Sequence, residues 1–168
     1  TCRILANTAG YSGGGIDISC ALAYCSVVVA DTIVEGNAAT SGSGGGIAVI
    51  TSSPLIAWNS IARNTANRNG GGIACWRHSF PIIANNFIVA NSASYDELTV
   101  TEGGGGIFAS ATDLDGRPIT FAISAPVIIN NVIAANGGYY GGGITVIDSI
   151  LGAATIANNT IVANNGAG

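Results

Sequence analysis

The chain has 168 residues, of which only 8% are charged, and it carries no lysine and a formal net charge of −4. That balance leaves no basic patch to hold a phosphate backbone, which argues against nucleic acid as a partner. Apolar residues make up 48% of the sequence, yet Gly or polar residues interrupt every long apolar run, which argues against a membrane span.

The chain opens on Thr1 with no basic segment followed by an apolar one, so any targeting segment is expected to have been removed or to lie outside this stretch. The first apolar run, Arg3-Ile4-Leu5, closes on Asn7, and the same closing asparagine recurs at Asn37, Asn64, Asn91, Asn136 and Asn164, at spacings of 30, 27, 27, 45 and 28 residues. A second signature, Gly-Gly-Gly-Ile, recurs with its isoleucine at Ile16, Ile47, Ile73, Ile107 and Ile144. A period near 27 residues is that of a solenoid, whose stability is a sum over neighbouring coils.

Within each unit, three short Ile- and Val-rich runs are separated by Gly or Asn. They are too short for helices, so each coil is expected to hold three strands. The first strand reads Val27-Val28-Val29, Pro54-Leu55-Ile56, Pro81-Ile82-Ile83, Pro126-Val127-Ile128 and Ala154-Thr155-Ile156, with proline at the strand start, where no ladder bond is lost. A turn follows at Asp31-Thr32, Trp58-Asn59, Asn85-Asn86, Asn130-Asn131 and Asn158-Asn159, because Asn tolerates left-handed backbone angles. The second strand centres on Ile4, Val34, Ile61, Ile88, Ile133 and Ile161 and ends on the Asn7 to Asn164 column, read as a buried structural ladder that satisfies turn backbone groups. The third strand leaves the glycine run and carries Ile16-Asp17-Ile18 and its equivalents, with the five isoleucines stacked inward, one strand spacing of about 4.8 Å apart.

Of the four cysteines, Cys75 takes the column of Ile18, Val49, Ala109 and Val146 and reads as a buried small hydrophobe, while Cys2 falls on the column of Thr32 and Asn59. Cys20 and Cys25 flank one long turn and could close it as a disulfide in an oxidising compartment. The spacing of 45 residues marks two loop insertions in one coil, at 92–103 and 110–124, in an otherwise single domain spanning 1–168. Insertions in repeat proteins map to surface loops and often to the binding face.

The pattern Gly-Gly-Gly-Ile-x-Cys followed by Pro-x-Ile-x-Asn-Asn-x-Ile-x-x-Asn resembles the right-handed parallel β-helix repeat proteins of bacterial surfaces and secretions, over nearly the whole chain. The resemblance implies an all-β, right-handed three-sheet coil of about six levels, related in architecture to pectate lyases, polymorphic outer-membrane proteins and other adhesins. It also implies where an enzyme of that architecture would keep its groove, along the outer face of the first sheet, lined with carboxylates and a basic residue. Here that face is read as Val28 and Ala30, Leu55 and Ala57, Ile82 and Ala84, Val127 and Ile129, and Thr155 and Ala157, and none is charged. Architecture alone does not assign an activity.

The remaining candidate is the turn Trp76-Arg77-His78-Ser79-Phe80, one coil from Asp113, Asp115 and Arg117. Trp76 could stack on a sugar, Arg77, His78 and Arg117 could bind its substituents, and Asp113 and Asp115 in Asp-x-Asp-Gly could ligate calcium, although the later glutamate of a calcium loop is missing. The competing reading is a polar turn chosen for its backbone geometry. No other cofactor is implied. The sequence is therefore expected to specify a secreted or cell-surface structural or adhesive protein that assembles with its own copies, head to tail or laterally. Apolar outward positions such as Ile33, Phe87, Val89, Val132 and Val162, and the absence of a capping helix, carry that expectation. The alternative is a carbohydrate-binding or carbohydrate-active module.

Overall fold

The structure, a computed structural model, describes residues 1–20, 25–94, 103–111, 123–147 and 153–166. It is all-β and parallel throughout, a β-solenoid of about five turns. The first sheet stacks Val28–Ala30, Leu55–Ala57, Ile82–Ala84, Val127–Ile129 and Thr155–Ala157. The second stacks Cys2–Leu5, Thr32–Glu35, Ser60–Ala62, Phe87–Val89, Val132–Ala134 and Thr160–Val162. The third stacks Ile16–Ser19, Ile47–Ile50, Ile73–Trp76, Ile107–Ser110 and Ile144–Ile147.

Besides these three sheets there is a fourth, made of two-residue strands that lie between the closing asparagine and the glycine run. It stacks Thr8–Ala9, Ala38–Ala39, Thr65–Ala66, Ser92–Ala93, Gly137–Gly138 and Asn165–Gly166. Two small or polar residues show no readable alternation, which is why the sequence yields three strands per coil and the structure four. Ser92 and Ser110, taken above as insertion starts, stand in strands of the fourth and third sheets. At the other ends, Gly103 donates its N–H to Asn69 Oδ1 at 2.9 Å and Ser124 bridges to Ser79. The coil therefore reaches further into both segments than length differences alone suggest.

Register follows the repeat. Ile16, Ile47, Ile73, Ile107 and Ile144 are paired in succession, and the middle three are fully buried while the outer two pack partly buried against the core. The other inward columns are Val29, Ile56, Ile83 and Ile128 from the first sheet and Val34, Ile61, Ile88 and Ile133 from the second. Like residues of successive coils thus touch along the axis, and the core is a set of aliphatic columns.

Most corners turn on a left-handed residue. At the first corner these are Asp31, Trp58, Asn85, Asn130 and Asn158, with φ from 50° to 57°, each followed by the buried Thr32 or an asparagine. At the corner before the third sheet the turn needs glycine: Gly70 has φ 61°, and a Cβ there would lie 2.6 Å from the Cβ of Ala74, because the chain folds back over its own strand. The glycine run is therefore a packing requirement as well as a bend.

Candidate functional site

The asparagine columns come first because they fix every corner that a ligand could meet. Asn64 Oδ1 accepts the backbone N–H of Asn37 at 2.9 Å and its Nδ2 at 3.0 Å. The Nδ2 of Asn64 in turn donates to the Val34 carbonyl and to Asn91 Oδ1, both at 2.9 Å. The same set of bonds carries the column through Asn91, Asn136 and Asn164. A parallel column runs from Thr32 through Asn59, Asn86, Asn131 and Asn159, with Cys2 beside Thr32 in register. These amides are fully engaged in holding backbone and are structural.

A third polar column went unread in the sequence. Ser52 and Ser79 are fully buried, Ser124 is 2% exposed, and their hydroxyls donate to carbonyls: Ser52 to Ile18 at 3.0 Å, Ser124 to Ser79 at 3.2 Å, and Ser79 to Trp76 and to Arg77. Cys25 pairs with Ser52 at the head of this column and is disulfide-bonded to Cys20, with Cα atoms 6.1 Å apart. The signal was present, since Cys25, Ser52, Ser79 and Ser124 repeat the 27- and 45-residue spacings. Serine next to glycine-rich turns simply did not stand out from loop composition.

Within the Trp76 turn, Trp76 and Ser79 are buried while Arg77, His78 and Phe80 are half-buried. Trp76 is 1% exposed and packs with Ala48, Ala74 and Phe108 on the outward side of the third sheet, with Ile50 and Ile147 against them. Its indole has no free face for a sugar in this structure. Arg77 and His78 follow with φ of 45° and 36° and are half-buried, and the Nε of Arg77 is buried without a hydrogen-bond partner. Asp113, Asp115 and Arg117 lie outside the described residues. Among the described residues, no three metal-ligating side chains come together.

Alternation places Trp76 on the outer side of its strand correctly but cannot tell whether that side is covered. A second satellite cluster, Ala48, Ala74, Trp76 and Phe108, buries it. Cys75, on the inner side, is fully buried, and loss of hydration pushes its thiol up to about 12. Such a thiol is a core group and not a nucleophile.

Among the described residues, a concave surface with exposed aromatic side chains lies at the corner between the first and second sheets. A groove of about 290 Å³ is lined by Asp31, Ile33, Trp58, Ser60, Asn85 and Phe87, with Thr1, Thr32 and Asn59 completing it. Trp58 and Phe87 are 58% and 61% exposed. The sequence signal was Trp58 itself, the single aromatic in a corner column otherwise made of Asp and Asn. No helix among the described residues is long and apolar enough to cross a membrane. Comparison with models of protein families, with curated proteins and with solved structures finds no match to this chain, so the fold stands on the parallel β-solenoid geometry itself.

Proposed function

We propose that this chain is a structural or adhesive β-solenoid of an extracellular or cell-surface assembly, and that it associates with copies of itself. The observation that carries this reading is the outer face of the first sheet. Val28, Leu55, Ile82 and Val127 form one outward column in continuous register, with Val28 64% and Ile82 44% exposed. Phe87, Val89, Val132 and Val162 continue apolar surface onto the second sheet. A contiguous apolar face on a protein with so few charges favours burial against a like surface.

Two further features support the reading. The Cys20–Cys25 disulfide suits an oxidising compartment. Each coil pairs in register with the coils on either side of it, a stacking that a second copy can also use. The architecture shared with β-helix adhesins is consistent with this role, as an analogy of fold.

The test is solution mass. Sedimentation at micromolar concentration is expected to give assemblies larger than the monomer, and Val28→Lys with Ile82→Lys is expected to return them to monomer while leaving the far-ultraviolet spectrum of the sheet unchanged. A monodisperse monomer across that concentration range would refute the proposal.

A further inference from the structure

We infer that the groove between Trp58 and Phe87 binds a sugar ring of a neutral polysaccharide. This site shares Phe87 with the apolar surface invoked for self-association, but Trp58, Asp31 and Asn85 belong to the groove alone and Val28 and Ile82 to the first-sheet face alone, so the two tests read different residues.

Trp58 occupies a costly position for an indole. Its φ of 56° is left-handed, a region that costs a non-glycine residue about 1–2 kcal/mol and suits bulky side chains least. The same corner is turned by Asp31, Asn85, Asn130 and Asn158, so folding requires nothing larger than Asn there. Burial does not offset the cost, because more than half of Trp58 faces solvent. Phe87 repeats the anomaly one coil on, 61% exposed in a column that otherwise holds Arg3, Ile33, Ser60, Val132 and Thr160 and no other aromatic. Phe87 pairs with Ser60, two residues beyond Trp58, so the two aromatic side chains flank the same stretch of groove on adjacent coils.

The rim selects the ligand. Asp31, Ser60 and Asn85 line the groove beside the two rings and offer both acceptors and donors at its edge. Aromatic faces bordered by such groups match the apolar C–H face and equatorial hydroxyls of a pyranose. One carboxylate and no Arg or His lines the groove, with Arg3 standing one strand away beside Ile33, so the lining itself does not favour an acidic glycan. A small cation would want an enclosing cage, whereas this groove is open and presents only two aromatic side chains. A second copy offering its apolar face would strand Asp31 and Asn85 without partners.

The two tryptophans make the test direct, because Trp58 is exposed and Trp76 is 1% exposed. Acrylamide quenching of intrinsic fluorescence therefore reports on Trp58 against a constant background. Four neutral oligosaccharides, cellohexaose, maltohexaose, mannohexaose and xylohexaose, are titrated beside oligogalacturonate and choline. At least one neutral oligosaccharide is expected to shield Trp58 saturably, with oligogalacturonate and choline ineffective. Trp58→Asn and Phe87→Thr install residues that the same columns already carry. Phe87→Thr should weaken the shielding about tenfold or more with an unchanged melting temperature, and Trp58→Asn should abolish binding of the same oligosaccharide in calorimetry while raising the melting temperature, because Asn suits the left-handed corner better than an indole. Shielding by none of the four, equal shielding by oligogalacturonate or choline, shielding that depends on protein concentration alone, or calorimetric binding that survives Trp58→Asn would each overturn the assignment.

Discussion

Ala6, Gly36, Arg63, Ala90, Ala135 and Ala163 occupy one corner of successive coils with φ between 53° and 65°. Only one of the six is glycine, so the corner holds L-residues in a region that glycine enters without a steric cost. Ala90→Gly is expected to stabilise the protein by about 0.5–1 kcal/mol, the relief of the left-handed backbone exceeding the added freedom of the unfolded chain. Ala90→Val should destabilise it, since β-branched residues are the least tolerant there. Paired denaturant titrations decide both signs. Thiol chemistry is settled at the same scale. Cys2 is exposed and Cys75 buried, both free, so Ellman's reagent at pH 8 should count one thiol in the native protein and two after unfolding. The Cys75 thiol has its folded pKa raised from 9.0 to about 12. Both states keep the proton below pH 9, and above it the unfolded state releases the proton first. Stability from this group is thus flat up to about pH 9 and falls as pH rises toward 12. Cys75→Ala should remove that alkaline slope.

At the level of the strand and its corner, the asparagine columns carry the largest single-residue risk. Asn64→Ala removes the acceptor for the buried Asn37 N–H and Nδ2 and the donor to the Val34 carbonyl. With buried polar groups costing about 1–3 kcal/mol each when left unpaired, the expected loss in the coils around Asn64 is about 3 kcal/mol or more, seen as unfolding that begins at lower denaturant. This column was legible because asparagine recurs at a fixed place after each second strand. The inward isoleucines were legible for the same reason. Trp76 was not, because alternation assigns a side of the sheet and says nothing of the Phe108 and Ala74 that close over it. The serine column was missed for an opposite reason: its residues repeat faithfully, but serine is as common in turns as in a buried ladder. Trp58 was placed in the correct turn and read as one more turn residue. Its exposure and its neighbour Phe87 emerge only when coils are stacked.

For the whole molecule, each coil contacts only the coils on either side, so cohesion is passed along the axis and not shared through one central core. A lesion in the middle should therefore divide the rod. Asn64→Ala is expected to lower the denaturant m-value or split the transition into two, because coils on either side of the damage unfold independently. Circular dichroism and tryptophan fluorescence then cease to coincide, and coincident single transitions at the parent m-value would contradict it. The asparagine columns have one more effect at this scale. In both, the side-chain oxygen always accepts from the preceding coil and the backbone N–H always points to the following one. Two rows of amide dipoles are thus aligned along the axis and polarise one another in the same sense. The rod behaves as an electrical arrow, its asparagine oxygens facing one way along the axis and its N–H groups the other, so a coil offered upside down would set oxygen against oxygen.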